Sequence, residues 1–208
     1  MSVTSKDVKK TEGMTWRRYK DGETEENYRS EQDKIFQAGW THKCPEYMLS
    51  TPPCQGSCPA GEDIQGWLAE AEAGDYEAAW RSLTRNNPLP AIMGRVCYHP
   101  CEGACNRARI DATVGINSVE RFLGDLALEK GWGFEPPAQE SGKRVLVIGA
   151  GPSGLSAAYH LRRLGHAVTI REAGPLVGGM MRFGIPKYRL PREVIDGEVA
   201  RIAAMGVE

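Results

Sequence analysis

The stretch "KRVLVIGAGPSG", residues 143–154, constrains the fold of this chain more than any other part of it. "RVLVIG" is a short, nearly continuous apolar run, the form of a parallel strand buried on both faces. Gly149, Gly151 and Gly154 close it as G-x-G-x-x-G, and a helical pattern runs on from Pro152 to Leu164. "AVTIRE", residues 167–172, predicts a second strand. Strand, crossover helix and strand make a β-α-β unit.

Each glycine type has a reason. Gly149 permits the tight turn, Gly151 lets the backbone approach a pyrophosphate, and Gly154 lets the helix lie close on the strand. The helix N-terminus offers free N–H groups and a positive dipole end to phosphates. Glu172 closes the second strand, 23 positions after Gly149, where a carboxylate can accept from both ribose hydroxyls. An acidic residue there disfavours a 2′-phosphate, so FAD and NAD fit better than NADP. A bare glycine turn is the rival reading of G-x-G-x-x-G alone. The strand before it, the helix after it and Glu172 together favour a dinucleotide site.

The six cysteines pose a separate problem. "GRVCYHPCEGACNR", residues 94–107, places Cys97, Cys101 and Cys105 at a repeat of four; Cys44, Cys54 and Cys58 complete the set. "MSVTSKDVKKTEG" at the start has no apolar region of a signal peptide. No run approaches the roughly 20 apolar residues of a membrane span. The cytoplasm is the expected location, and thiols stay reduced there. Disulfides are then a poor explanation, and iron–sulfur ligation, zinc ligation and inert buried thiols are the readings to weigh. Zinc knuckles use C-x₂₋₄-C pairs that close a four-ligand site, which C-x₃-C-x₃-C meets only loosely. Iron–sulfur clusters accept thiolates recruited from distant segments. Lys plus Arg is 26 against 27 for Asp plus Glu, so charge gives no reason to expect nucleic acid or an anionic membrane as partner.

The expected class is α+β: an all-helical N-terminal domain, then the start of a Rossmann-like domain. Residues 1–40 read as an N-terminal tail, 41–132 as the helical domain, 133–143 as a Pro- and Gly-containing linker, and 144–208 as the first part of the dinucleotide-binding domain. Ile64, Trp67, Leu68 and Ala71, then Tyr76, Ala79, Trp80 and Leu83, give two apolar faces of an αα-hairpin. "NNPLP" (86–90) ends the second helix, and 94–110 reads as a loop because Gly94, Pro100 and Gly103 oppose a helix. A third helix starts near Asn117, with Val119, Phe122, Leu123 and Leu126 on its apolar face. Asn117 and Glu120 form N-x-x-E, a capping box by local pattern. Arg95 reads as a solvated surface group, and His99 as a neighbour of the ligand cysteines or as a bystander.

Five ordered motifs carry a family resemblance: "TPPCQGSCPAGEDI", "NNPLPAIMGRVCYHPCEGACNR", "VGINSVERF", "VLVIGAGPSG" and "GGMMRFGIPKYRLP". From about residue 40 onward the chain resembles iron–sulfur flavoproteins of the glutamate synthase small (β) subunit and dihydropyrimidine dehydrogenase N-terminal region. The resemblance implies an NAD(P)H-dependent oxidoreductase that moves electrons between FAD and two [4Fe–4S] clusters. A partner subunit or electron-acceptor protein would exchange those electrons, and NAD(P)H would bind in a further C-terminal part. The 208 residues alone are expected to be inactive toward NAD(P)H.

The resemblance also assigns residues. Cys58, Cys97 and Cys101 match three ligands of one cluster, with Glu120 in the place of the fourth. Cys54, Cys105 and Cys44 match ligands of the other cluster. Its remaining ligand departs from the family pattern, because Thr41 stands where a cysteine is expected. His42, a more distant side chain and a [3Fe–4S] cluster are the alternatives. Gly149, Ala150, Gly151, Pro152, Ser153 and Gly154 match the FAD pyrophosphate loop, and Glu172 the ribose ligand. Gly178, Gly179 and Met180 match the second glycine motif, and Arg189 a basic cofactor contact.

Overall fold

The structure is a computed structural model that describes residues 15–18, 43–46 and 51–208. The chain divides into two units at Thr51 and Pro52. In the first, β1 (Thr15–Arg18) pairs antiparallel with β2 (Lys43–Glu46), with Arg17 opposite Cys44. A strand thus lies within the segment read as a tail. Thr41, His42 and the side chain of Cys44 fall outside the described residues.

The second unit begins with helices. α1 (Pro53–Gly56) is one turn, started by a proline whose missing N–H costs nothing at that position. α2 (Ile64–Glu72) and α3 (Tyr76–Thr84) form the expected αα-hairpin. Asp63 accepts from Gly66 N–H at 3.2 Å and Asp75 from Ala78 N–H at 3.1 Å, so each helix starts on a side-chain cap. Trp67, Trp80 and Leu83 are fully buried between them and their neighbours.

The region after "NNPLP" differs from expectation. α4 (Pro90–Val96) begins at Pro90 itself, because proline ends a helix it interrupts but suits the first position of a new one. α5 (Pro100–Gly103) follows, then a 3₁₀ turn over Asn106–Arg109. α6 (Ile116–Lys130) ends at Gly131, whose positive φ of 67° suits glycine. Its buried side is Ile116, Glu120, Leu123, Gly124 and Ala127, while Phe122 stays half-exposed. The face is rotated from the expected one because α4 packs onto glycine and alanine. A Cβ on Gly124 would lie 2.3 Å from Ala91 N, and one on Gly94 2.4 Å from Arg121 Cα.

β3 (Arg144–Ile148), α7 (Pro152–Arg163) and β4 (Ala167–Arg171) form the β-α-β unit, with the strands parallel and Leu146 opposite Thr169. Glu208 extends the sheet beyond β4: Ile170 N–H donates to its carbonyl and its own N–H donates to Val168. Leu146 and Ile148 remain exposed. The expected burial of β3 on both faces is therefore met on one face only, the other being uncovered among the described residues. α8 (Met180–Phe183) and α9 (Arg192–Ala203) complete the unit.

The helical part and the β-α-β part are packed as one body. Leu89 and Ile92 of the first share a core with Leu155, Tyr159, Leu190, Ile195 and Ile202 of the second. Phe134, in the segment expected to be a linker, stacks on Trp80 at 5.4 Å and meets Tyr159 at 4.6 Å. Ser141 is bound to the Gly165 carbonyl. Tyr159 OH donates to the Thr84 carbonyl at 2.7 Å, and Arg163 to that of Arg85 at 2.6 Å. Both bonds satisfy carbonyls left free at the end of α3.

Candidate functional site

α1 packs on α5, which brings "PPCQGSCP" against "HPCEGAC". Cys58, Cys97 and Cys101 then line one cavity of about 410 Å³ together with Glu120. The structure thus gathers the three cysteines and the carboxylate that the resemblance assigned to one cluster. Cys54 and Cys105 do not line it. The repeat of four in 97–105 is split by the fold: a proline-started turn carries Cys101 inward, while Cys105 lies past its end and outside. His99 makes this possible. Its φ of 40° is the one left-handed backbone angle outside glycine among the described residues. It turns the chain sharply between Cys97 and Cys101, and its N–H donates to Cys97 Sγ at 3.2 Å.

The cavity is apolar around its donors, with Ile64, Leu89, Met93 and Ile116 in its wall. Burial pushes the Cys101 thiol up to about 11. It raises Cys97 too, against the pull of the His99 N–H. Cys105 differs: backbone N–H groups of Val114 and Arg107 stabilise its thiolate and lower it. Glu120 is pushed up to about 8 by burial, and by the nearby Glu62 carboxylate, itself raised by burial. Burial keeps the Cys97 and Cys101 thiols and these carboxyl groups protonated, and positive charge among them would be needed to ionise them together. Such a set suits a cationic, thiolate-bound metal core, whose charge would hold the donors ionised. Among the described residues no three His, Cys, Asp or Glu groups converge on one point as a single ion requires. Thiolates drawn from separate segments, as Cys58 and the Cys97–Cys101 pair are, suit an iron–sulfur cluster.

Glu120 is not a capping residue. α6 starts at Ile116, and the Asn117 N–H is taken by Glu102 Oε1 of α5 at 2.9 Å. Glu120 instead accepts from Asn87 Nδ2 at 2.7 Å and, weakly, from Asn117 Nδ2 at 3.4 Å. Arg95 is not a solvated group either: it makes a bidentate pair with Asp125 at 2.6 and 2.9 Å and ties α4 to α6.

The same cavity is walled on another side by Pro152, Ser153 and Ser156, the first turn of α7. Gly149 takes a φ of 96°, and a Cβ on Gly154 would fall 1.9 Å from the Gly149 carbonyl oxygen. Both glycines are therefore demanded by the turn. Gly178 N–H donates to the Ala150 carbonyl at 2.8 Å, and a Cβ on Gly179 would lie 2.9 Å from Gly151 Cα. The second glycine pair is thus folded directly onto the first loop. Glu172 accepts from Ala150 N–H and Gly174 N–H, both at 2.7 Å, and these bonds lower its pKa. A cavity of about 160 Å³ opens beside Glu172, lined by Ala150, Val177, Val199 and Ile202. Met180 is exposed at the start of α8. Arg189 is not gathered at the glycine loop: it donates to the Arg95 carbonyl at 3.2 Å.

α4 joins these parts. Its N-terminus has no local cap, and fully buried Glu198 of α9 accepts from Ala91 N–H at 2.9 Å and Ile92 N–H at 3.1 Å. Arg189 reaches its C-terminal end. One residue past that end stands Cys97. The sequence offered no signal for Glu198, since its partners lie more than 100 residues away. It offered none for Glu62 or Asn87, which sit in segments that read as helix ends.

A thiol-lined cavity that shares a wall with a dinucleotide loop defines a class, the proteins that join iron–sulfur clusters to a nucleotide-binding Rossmann domain. The comparisons agree. The family described as dihydropyrimidine dehydrogenase domain II, 4Fe-4S cluster, matches residues 18–132, and the NAD(P)-binding Rossmann-like domain matches residues 147–200. The chain belongs to this dihydropyrimidine dehydrogenase domain II family.

Similar proteins include the NADP(+)-dependent formate dehydrogenase subunit beta of Moorella thermoacetica, 40% identical over 82% of this chain and 27% of that one. The NADH glutamate synthase of Schizosaccharomyces pombe is 40% identical over 81% of this chain and 8% of its own length. The NAD-dependent dihydropyrimidine dehydrogenase subunit PreT of Escherichia coli is 38% identical over 74% and 38%. The chain therefore spans well under half the length of each. No described helix is long and apolar enough to cross a membrane.

Proposed function

We propose that this chain is the cluster-bearing and flavin-entry portion of an NAD(P)H-dependent oxidoreductase. In this reading Cys58, Cys97, Cys101 and Glu120 hold one [4Fe–4S] cluster. Cys54 and Cys105, with Cys44, hold the other, either as [4Fe–4S] with a further ligand or as [3Fe–4S]. Residues 149–154, Glu172, Gly178, Gly179 and Met180 hold FAD. Residues 41–132 and 144–208 are the two functional parts, and 1–40 precedes them. When bound, a flavin exchanges hydride for single electrons and the clusters carry those one at a time.

One observation carries the proposal. The first turn of α7, which would bind the pyrophosphate, is also a wall of the cavity lined by the three thiols and Glu120. The chain's own work is positional. Free N–H groups at the start of α7 receive phosphate. Glu172 selects a ribose without a 2′-phosphate. The apolar wall keeps water from the thiolates, and the His99 N–H steadies Cys97. The acceptor is a protein: a large catalytic subunit, or a separate carrier. Among the relatives, formate dehydrogenase, glutamate synthase and dihydropyrimidine dehydrogenase are each named for a different reaction. The shared portion would therefore serve as an electron conduit common to them.

The test is anaerobic purification of the parent chain with counts of iron, acid-labile sulfide, zinc and flavin, followed by titration with NAD(P)H. Iron with matching sulfide, bound FAD, and loss of visible absorption on titration are expected. Colourless protein with stoichiometric zinc would overturn the cluster assignment.

A further inference from the structure

Asn87 lies in "NNPLP" and is 7% exposed, with every hydrogen-bonding group of its side chain engaged. Its Oδ1 accepts from Leu89 N–H at 3.1 Å. A backbone N–H can only donate, so the amide oxygen must face it and the NH₂ group must face away. That NH₂ forks. One bond goes to Glu120 Oε1 at 2.7 Å and the other to Glu62 Oε1 at 3.1 Å. All three residues line the cavity of Cys58, Cys97 and Cys101, and both carboxylates are nearly fully buried.

Two carboxylates in one apolar wall repel each other once ionised, and a donor placed between them offsets that repulsion. Asn87 is that donor. Among the described residues, the only other side-chain hydrogen bond to Glu120 is the long one from Asn117. Glu120 has rotatable bonds that the thiols lack, so its carboxylate needs an anchor if one oxygen is to stay turned to a metal core. Ligands of this kind are commonly oriented by hydrogen bonds from residues behind them.

We propose that Asn87 is the positioning residue for the oxygen-ligated cluster: its amide fixes Glu120 through one N–H and holds Glu62 beside it as a second, non-ligating carboxylate. This rests on the reading of Glu120 as a ligand. Asn87 acts through Glu120 and touches no iron. Its role also explains why the helix break falls where it does. Pro88 and Pro90 stop α3 and start α4 around a residue whose side chain must point back into the cavity.

The test uses the parent chain, loaded with clusters under exclusion of oxygen, and compares Asn87→Asp, Asn87→Ser and Glu120→Ala. Asp and Ser both keep an oxygen that can accept from Leu89 N–H, so the turn survives. Asp places an acceptor where the fork was, and Ser leaves nothing there. The readouts are the EPR line shape and midpoint potential of each cluster, with iron per chain. Both Asn87 variants are expected to shift the line shape and potential of the one cluster that Glu120→Ala also changes, leaving the other as in the wild type. Wild-type spectra and potentials in both Asn87 variants, beside an altered Glu120→Ala, would overturn the role of Asn87 alone. Loss of both clusters together in the Asn87 variants would mark a general folding role and overturn it as well. An unaltered Glu120→Ala would instead refute the ligand reading beneath it.

Discussion

Replacing Glu198 by alanine should loosen the tie between the dinucleotide-binding part and the cysteine cavity. Glu198 is fully buried on α9 and accepts from two backbone N–H groups that α4 cannot satisfy itself. Alanine leaves both buried donors without a partner, at about 1–3 kcal/mol each. It also leaves Arg201, 3.9 Å away, with the faces of Trp80 and Phe134 as its charge partners among the described residues. A total of about 2–6 kcal/mol implies a Tm lower by roughly 4–24 °C for a unit of this size. Glu198→Gln keeps one good acceptor and should lose about half of that. The two variants also separate charge from hydrogen bonding. Burial raises Glu198 from 4.5 to about 8, against the amides of Ala91 and Ile92 and the charges of Arg201 and Arg95. Between those values the folded chain holds a proton that the unfolded chain has released, so stability falls as pH rises across that window. Glu198→Gln should remove that part of the slope. Thermal melts from pH 5 to 8, followed by near-ultraviolet circular dichroism of the Trp80–Phe134 stack, measure both effects. A Glu198→Ala protein that melts within about 1 °C of wild type at every pH would refute the capping role.

Other outcomes follow from the same packing. Gly124→Ala would put a Cβ 2.3 Å from Ala91 N, so α4 must move off α6; a loss of about 1–3 kcal/mol and reduced iron content are expected, read by melts and metal analysis. Gly154→Ala sets a Cβ against the Gly149 carbonyl oxygen and should weaken dinucleotide binding at this loop about tenfold or more, a change of about 1.4 kcal/mol or more in a fluorescence titration. His160 is lowered by burial, so its contribution to stability should be lost as pH falls below 6.5 toward its folded value, and His160→Gln should lack that loss in acid-range melts.

Local chemistry made much of this molecule legible in advance. The αα-hairpin follows from apolar spacing, and the β-α-β unit from its strand pattern and glycines. The grouping of Cys58, Cys97, Cys101 and Glu120 came through family likeness, and the fold brings those four together. What stayed hidden was non-local. Pro90 starts a helix because Glu198, far along the chain, supplies its cap. Glu120 looks like a cap until Glu102 takes the Asn117 N–H from another helix. Arg95 looks solvated until Asp125 is placed beside it. The segment 133–143 looks like a linker from its prolines and glycines, yet Phe134 packs on Trp80 and Tyr159, Glu140 pairs with Arg162 and Ser141 binds the Gly165 carbonyl. Short patterns report what a segment can do by itself, and each of these residues is set by a partner from elsewhere.

The division of the cysteines is the central claim, and paired substitution tests it most directly. Cys97→Ser and Cys105→Ser should be prepared in the parent chain and each reduced cluster followed by EPR. Cys97→Ser is predicted to remove or convert one cluster signal and Cys105→Ser the other, each leaving its counterpart intact. Loss of the same signal in both variants would contradict the assignment.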